Sequence, residues 1–184
     1  MIIKVIIVLI INLLLSNNNI TLDEIYEKLN VNIKSLNNAI VPEQKELVSI
    51  GFNTLGKEIF LSKKCASAWI KMQKDAKKDS IEMEIVSGFR SYYRQYAIIN
   101  YKLNNGLKLK QILKENKLPG LSQHHSGNAI DIVSNSYKLS LDFENSLAYA
   151  WLVKNAHKYG FYLTYSKNNK DGIMFEPWHW YFKE

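Results

Sequence analysis

The segment LSQHHSGNAIDIV, residues 121–133, concentrates side chains that can bind a metal ion. Neutral imidazole and carboxylate are ligands that suit Zn²⁺, and His124 and Asp131 offer one of each. They are seven positions apart, too far for one helical turn, so they converge only if His124 lies on a turn and Asp131 on the strand that follows. Gly127 permits such a turn. A buried aspartate between two isoleucines is costly unless a cation or hydrogen bonds compensate its charge, which is a physical reason to expect a metal.

A second segment, FEPWHW, residues 175–180, offers the remaining parts of a metal site. His179 can serve as the third ligand, and Glu176 as the general base for the attacking water. Two nitrogens, one carboxylate and an open position for water are typical of catalytic rather than structural zinc sites. The two segments together predict one zinc ion per chain.

A third segment, SGFRSYYRQ, residues 87–95, supplies cationic and amide donors suited to a carboxylate or an oxyanion. Arg90 follows a predicted strand and a glycine, so it is placed to reach into a cleft. The alternative is a surface arginine paired with an acid. Gln95 lies on the first turns of the next predicted helix. Ser122 either donates a hydrogen bond to the substrate or only caps the turn before His124, and both interpretations stay open.

Together the three segments resemble the VanY-type D-alanyl-D-alanine carboxypeptidases. These are zinc peptidases of bacterial cell walls that share a core with lysostaphin-type enzymes and the hedgehog signalling domain. The resemblance runs from about residue 65 to residue 182. Its patterns are Gly-Phe-Arg-Ser-Tyr with a Gln five residues after the Arg, Ser-x-His-x-x-Gly-x-Ala-x-Asp, and Glu-x-x-His. The matching residues are Arg90, Gln95, Ser122, His124, Gly127, Ala129, Asp131, Glu176 and His179.

The resemblance implies a catalytic site as well as a fold of the hedgehog and D-Ala-D-Ala peptidase type. It implies a zinc-dependent carboxypeptidase that removes the terminal D-alanine from peptidoglycan stem peptides. The metal ligands would be His124, Asp131 and His179, and the catalytic residues Glu176 and Arg90. The substrate-binding residues would be Arg90, Gln95 and Ser122.

Other functions remain open at this point. An L,D-carboxypeptidase or an endopeptidase would act on the same polymer. A zinc-containing wall-binding domain without turnover belongs to a different class, and the presence of Glu176 favours an enzyme over such a binder. An intracellular amidase or dipeptidase is a further alternative, which the apolar N-terminal run disfavours.

The first 15 residues are apolar except for Lys4 and Asn12. An early lysine followed by roughly ten apolar residues is typical of a secretory signal. The run is short for a membrane span, which needs about 20 residues. No clear cleavage site follows, so membrane association through an uncleaved anchor is an alternative. We expect residues 1–19 to direct export, and the protein to be periplasmic or associated with the cell envelope.

The composition fits one basic globular domain. The chain has 184 residues, 47% of them hydrophobic, which is enough for a proper core. A net charge of +7 suits anionic wall polymers, membranes or nucleic acid, but no basic-aromatic motif for nucleic acid is visible. We therefore expect no nucleic-acid partner. The family resemblance implies a peptidoglycan stem peptide as the substrate, and we expect the protein to be a monomer. Cys65 is the only cysteine, which excludes an intrachain disulfide, and we expect it to be buried in a helix.

The fold that must position these residues is predicted to be α+β, with an antiparallel sheet of about four strands that carries the zinc and is covered by helices. Residues 20–50 are predicted to form an N-terminal extension, with a capped helix from Thr21 to Leu29, ahead of a peptidase domain at 51–184. Periodicity and turn residues then predict the remaining elements. The helices are 62–78, 91–103, 107–116 and 141–159, and the strands are 81–86, 161–165 and 173–182.

Two details of this prediction concern the site directly. Glu176 and His179 are three residues apart and would face opposite sides of a regular strand, so Pro177 must break the strand there. His125 is adjacent to His124 and should point away from it, which makes a second ligand from this pair unexpected. We expect His125 to support the site from behind or to lie on the surface.

Overall fold

The computed structural model describes residues 20–32, 40–135 and 138–184, so the predicted export segment lies outside the described residues. The strands are β1 Leu47–Phe52, β2 Glu58–Ser62, β3 Glu84–Ser87, β4 Ala129–Val133, β5 Phe161–Leu163 and β6 His179–Phe182. The α-helices are α1 Leu22–Lys28, α2 Lys63–Lys78, α3 Tyr92–Asn104, α4 Leu109–Ile112 and α5 Leu147–Asn155. Short 3₁₀ helices span Gln123–Ser126, Leu141–Asn145 and Ala156–Tyr159.

A four-stranded antiparallel sheet in the order β3–β4–β6–β5 stands at the centre of the fold. The predicted α+β class and its small antiparallel sheet are confirmed. Strand β4 is buried along its whole length. Its alternation sends Ile130 and Ile132 into the main core and Asp131 to the opposite face. There Asp131 pairs in register with Ser87 on β3 and His179 on β6.

Helix α2 supplies much of the apolar cover over the sheet. The Ser62 hydroxyl accepts a hydrogen bond from the Cys65 amide and caps its first turn. The buried face includes Cys65, Trp69 and Met72, as the amphipathic pattern predicts. Ile70, an apolar residue of the same pattern, lies on the outer face with 56% of its surface exposed. Burial raises the pKa of the Cys65 thiol to about 12, so it is inert packing rather than a nucleophile.

The N-terminal region packs on the rest of the chain. Helix α1 begins with the predicted capping box between Thr21 and Glu24. Its buried side chains join α3 and α4 in a second apolar cluster, and the Tyr26 hydroxyl donates to the Pro119 carbonyl at 2.8 Å. The domain boundary predicted at residue 50 falls inside β1, which pairs with β2.

Five predicted elements are shorter or more broken in the structure. The helix predicted over 107–116 spans only Leu109–Ile112, and the strand predicted over 81–86 spans Glu84–Ser87. The helix predicted over 141–159 is interrupted at Ser146, whose hydroxyl caps the start of α5 by accepting from the Tyr149 amide. The strand predicted over 161–165 ends at Leu163. The strand predicted over 173–182 is regular only from His179, so the predicted irregularity at Pro177 is confirmed.

Within the ranges described, no helix has both the length and the apolar character required to cross a membrane.

Candidate metal centre

Three buried side chains converge at the face of the central sheet. One nitrogen of His124, one carboxylate oxygen of Asp131 and one nitrogen of His179 all lie within 4.8 Å of one another. His124 and His179 are 4% and 2% exposed and Asp131 is 3% exposed. The convergence that the sequence predicts for these three residues is therefore present in the structure.

The turn before β4 brings His124 to this position. Ser122 caps the 3₁₀ helix by accepting a hydrogen bond from the His124 amide. Gly127 ends the helix with a φ of 69°, a conformation that favours glycine. A Cβ at Gly127 would also lie 2.9 Å from the Ser62 amide nitrogen, too close for any side chain. The chain then enters β4, which carries Asp131 two strand positions after Ala129.

The tautomer of His124 follows from its hydrogen bond to the backbone. Its Nδ1 lies 2.7 Å from the Gly88 carbonyl, which can only accept, so Nδ1 carries the proton. The Nε2 lone pair then faces the Asp131 carboxylate at 3.3 Å. Burial lowers the pKa of His124 to about 4, against the opposing charge of Asp131, so the imidazole is neutral at pH 7.

The hydrogen bonds of His179 lead to the same arrangement. Its Nε2 lies 3.0 Å from the amide oxygen of Gln123, an acceptor, so we assign the proton to Nε2. The Nδ1 lone pair then faces Asp131 at 2.9 Å. The Tyr165 ring stacks on the imidazole at a centroid distance of 4.7 Å and fixes its plane.

This donor set fits a zinc ion. Two imidazole lone pairs face the two oxygens of one buried carboxylate, an arrangement of acceptors that a cation between them stabilises. The other ring nitrogen of each histidine donates to a protein oxygen, as is usual for metal-ligating histidines. The role of these three residues as zinc ligands stays a prediction.

Glu176 lies beside the cluster without belonging to it. Residues 177 and 178 form a turn, and the His179 amide donates to the Glu176 carbonyl at 3.1 Å. This turn places Glu176 and His179 at the same cleft, which a regular strand would not do. Burial, with a further contribution from the Asp131 charge, raises the pKa of Glu176 to about 8. A cation at the cluster would offset the Asp131 charge and favour the ionised form of Glu176.

Arg90 is held at the edge of the same cluster. Its guanidinium donates to the Ser87 hydroxyl at 2.9 Å and to the Gln95 amide oxygen at 2.8 Å. One nitrogen lies 3.7 Å from Asp131, and the side chain is 18% exposed. Arg90 therefore lies at the cleft, as predicted, and part of its guanidinium remains available to bind an anion.

Gln95 and Ser122 differ in what they offer to a substrate. Gln95 is 1% exposed, and its amide bridges Arg90 and the Lys117 carbonyl, so its position is suited to orienting Arg90. Ser122 caps the turn and also lines the cleft, so its two predicted roles are compatible.

His125 packs behind the site, as expected for a histidine that does not bind the metal. Its Nδ1 donates to the Arg90 carbonyl at 2.5 Å, and its Nε2 accepts from the Gly120 amide at 3.1 Å. Both ring nitrogens are therefore occupied by the backbone. Burial lowers its pKa to about 4, so it stays neutral.

The cluster opens into a cleft of about 480 Å³. The cleft is lined by both polar and apolar residues. Besides Arg90, Gln95, Ser122, Glu176 and the three candidate ligands, they are Ile98, Lys102, Glu115, Asn116, Lys117, Leu139, Ser140, Leu141, Tyr165, Ile173, Met174 and Trp178.

Sequence reasoning did not single out several residues that support the site. Gln123 and Ser87 lie within segments already identified, so adjacency to His124 and Arg90 was an available signal. Tyr165 lies after β5 in a region with no local motif, and its stacking on His179 has no sequence signature.

A buried glutamate and an arginine beside a convergent His-Asp-His cluster, on the face of a small antiparallel sheet, define a peptidase-type site. The chain belongs to the VanY family of D-alanyl-D-alanine carboxypeptidases, whose family model matches residues 58–184.

Relatives agree with this assignment. A Bacillus subtilis protein that bears the name of a carboxypeptidase, YodJ, is 36% identical over 137 residues. A D-alanyl-D-alanine carboxypeptidase of Enterococcus faecium is 32% identical over 138 residues. The aligned regions cover 72% and 73% of this chain but only 50% and 41% of the two relatives, so the chain spans about half of their length or less.

Solved structures share the fold. The structure of the LD-carboxypeptidase LdcB, described in relation to peptidoglycan recognition, matches with a TM-score of 0.69 and 32% identity. The match covers 76% of this chain and 69% of LdcB. A mutant of the D,D-pentapeptidase VanY in complex with Zn(II) matches with a TM-score of 0.59 and 21% identity, over 78% of this chain and 82% of VanY.

Proposed function

We propose that the protein is a zinc-dependent carboxypeptidase that removes the terminal D-alanine from peptidoglycan stem peptides. The observation that carries this proposal is the convergence of His124, Asp131 and His179 with Glu176 and Arg90 in one cleft. Family membership and the carboxypeptidase names of the two relatives support the reaction class. The Zn(II) complex of a VanY structure with the same fold supports the choice of metal.

The residues divide the reaction between them. His124 Nε2, Asp131 and His179 Nδ1 would hold the zinc ion. When bound in such a site, zinc polarises a scissile carbonyl and lowers the pKa of water toward neutrality. Glu176 takes a proton from the attacking water and delivers it to the leaving amine. Burial raises the pKa of Glu176, and a cation at the cluster would lower it again, so metal binding favours the ionised carboxylate that can accept the proton.

Arg90 is the group that recognises the end of the substrate. Its guanidinium is fixed by Ser87 and Gln95, so its planar fork is oriented before a ligand arrives. A fork of this kind binds a carboxylate with two parallel hydrogen bonds. We assign it to the terminal carboxylate of the stem peptide or to the developing oxyanion.

L,D-carboxypeptidase action is the second candidate. LdcB, a 32% identical LD-carboxypeptidase, matches with a TM-score of 0.69, against 0.59 for the VanY D,D-pentapeptidase. The two activities differ in the residue that precedes the terminal D-alanine. The +7 net charge and the apolar N-terminal run support a location at the cell envelope, where either substrate is found.

Purified stem peptides test the proposal. Pentapeptides and tetrapeptides from muropeptides are incubated with the zinc-loaded protein, with and without a chelator, and the products are identified by mass. Loss of one alanine from the pentapeptide, abolished by the chelator, is the expected result. Cleavage of the tetrapeptide alone would assign the L,D activity.

The same assay with amidated peptides tests the role of Arg90. An amidated C-terminus removes the carboxylate that Arg90 is proposed to bind, so such peptides should be poor substrates. Equal cleavage of amidated and free-ended peptides would contradict this role and favour an endopeptidase.

A further inference from the structure

Residues 41–44 form a short segment, which we call the strap, that binds the chain close to the candidate metal ligands. The strap precedes the residues that the VanY family model matches, and none of its four residues lines the cleft. Its Val41 amide donates to the Gly120 carbonyl at 2.7 Å, and its Gln44 amide donates to the His125 carbonyl at 2.8 Å. The strap is therefore attached at two points to the loop that leads into β4.

The strap also binds the first residue of α3 through two hydrogen bonds of opposite direction. The Glu43 carboxylate accepts a hydrogen bond from the Tyr92 amide. The Tyr92 hydroxyl donates to the Val41 carbonyl at 2.8 Å. The Tyr92 ring meets the His125 imidazole edge-on at a centroid distance of 4.7 Å. The strap, the start of α3 and His125 thus form one connected unit.

Glu43 supplies a negative charge that α3 lacks at its start. No acidic residue lies in the first turn of α3, whereas Arg94 places a cation there. A carboxylate beside the free amides of a helix N-terminus is favourable, because it offsets the partial positive charge of that end. The charge of the acceptor also strengthens the hydrogen bond from the Tyr92 amide. Glu43 therefore fixes the position at which α3 begins.

The start of α3 determines how Arg90 is held. Arg90 lies two residues before α3, and its guanidinium donates at 2.8 Å to Gln95 on the first turns of the helix. The Arg90 carbonyl accepts a hydrogen bond from the His125 Nδ1 at 2.5 Å. Both the side chain and the backbone of Arg90 therefore depend on the unit that the strap completes.

We propose that Glu43 is a positioning residue that fixes the direction of the Arg90 guanidinium through the start of α3. The strap is thereby a functional part of the site, although the family model does not cover it. This inference rests on the proposed function, in which Arg90 binds the terminal carboxylate of the stem peptide. Glu43 itself does not line the cleft, so its effect reaches the substrate only through Arg90.

The test measures the preference for a free C-terminus, as the ratio of kcat/KM on a free-ended stem pentapeptide to kcat/KM on its amidated form. Glu43→Leu removes the acceptor for the Tyr92 amide, so the Arg90 guanidinium should lose its direction toward the terminal carboxylate. The ratio should fall about 10-fold, the effect of one hydrogen bond to a charged group. Cleavage of the amidated peptide, which offers no carboxylate, should change little. Glu43→Gln keeps an oxygen that accepts from the Tyr92 amide, so it should keep most of the preference.

Two further variants separate positioning from a structural role. Glu46→Leu, on an exposed acid just after the strap, is the matched control and should leave the ratio unchanged. Tyr92→Phe removes only the hydrogen bond to Val41 and should lower the ratio by a smaller factor, so it decides the question if Glu43→Leu does not fold. An equal loss on both peptides, with the ratio of the wild type, would overturn the inference and leave the proposed function standing. A wild-type protein that cleaves neither peptide, or both equally, would refute the proposed role of Arg90 and the inference with it.

Discussion

The bridge made by Gln95 allows a quantitative test of how Arg90 is positioned. Gln95 is 1% exposed, and its amide binds Arg90 at 2.8 Å and the Lys117 carbonyl at 2.6 Å. Gln95→Met keeps the length of the side chain and removes both hydrogen bonds, so packing changes little. The Lys117 carbonyl, left unpaired, costs about 1–3 kcal/mol. The Arg90 guanidinium also loses its hydrogen bond to Gln95. Because the Arg90 side chain is 18% exposed, water can replace this bond, so the cost falls at the lower end of the range of about 1.5–3 kcal/mol for a hydrogen bond to a charged group. We expect a total destabilisation of about 3 kcal/mol.

Urea unfolding followed by circular dichroism measures this difference. Gln73→Met is the matched control, since Gln73 on α2 donates one hydrogen bond to the Met83 carbonyl at 2.8 Å, away from the cleft. It should cost about 1 kcal/mol and leave activity unchanged. If Gln95→Met lowers the free energy of unfolding by no more than Gln73→Met does, the Gln95 amide does not stabilise the position of Arg90 as the distances indicate.

A double-mutant cycle with Arg90 separates orientation from substrate contact. If Gln95 acts through Arg90, Gln95→Met lowers kcat/KM in the wild-type background but adds nothing to the loss caused by Arg90→Ala. If Gln95 binds the substrate directly, as the family resemblance implies, the two losses add. Additive losses would therefore refute the positioning role.

Three further predictions concern the metal, the base and export. The purified protein should contain one zinc ion per chain, and His179→Ala should lose it while remaining folded; metal analysis decides, and full retention of zinc would contradict the ligand set. Glu176→Gln should retain zinc yet lose about 10²–10⁴-fold in kcat, because the amide cannot accept the proton; wild-type turnover would exclude Glu176 as the base. Residues 1–19 fused to a reporter that is active only outside the cytoplasm should give signal, whereas a silent but stable fusion would argue against export.

Local chemistry made the site readable from the sequence. His124 and Asp131 offer an imidazole and a carboxylate seven positions apart, and the turn between them needs Gly127, whose positive φ is present. The same reasoning predicted the break at Pro177 that brings Glu176 and His179 to one cleft. In each case the constraint acts within a few residues, where chain geometry leaves few alternatives.

Long-range packing and competing helix caps account for what the sequence did not predict. The Ser146 hydroxyl accepts a hydrogen bond from the Tyr149 amide, so a new helix begins after Ser146 instead of one helix running through it. Leu147, at the first position of α5, is 78% exposed, whereas Leu152 is fully buried. The contact of Gln95 with Lys117 spans 22 residues of sequence, and no local period encodes it.

The hairpin of β1 and β2 contacts both segments that hold His124. The Phe89 amide donates to the Phe60 carbonyl at 2.8 Å, and the Ser62 amide donates to the Gly127 carbonyl at 2.9 Å. A Cβ on Gly88 would lie 2.6 Å from the same Phe60 carbonyl, so the hairpin packs directly against the residue that binds His124. Opening of the hairpin and dissociation of zinc from His124 are therefore linked equilibria. Hydrogen exchange at the amides of Phe89 and Ser62 should slow when zinc is added, which makes these two amides reporters of metal occupancy at a distance from the metal itself.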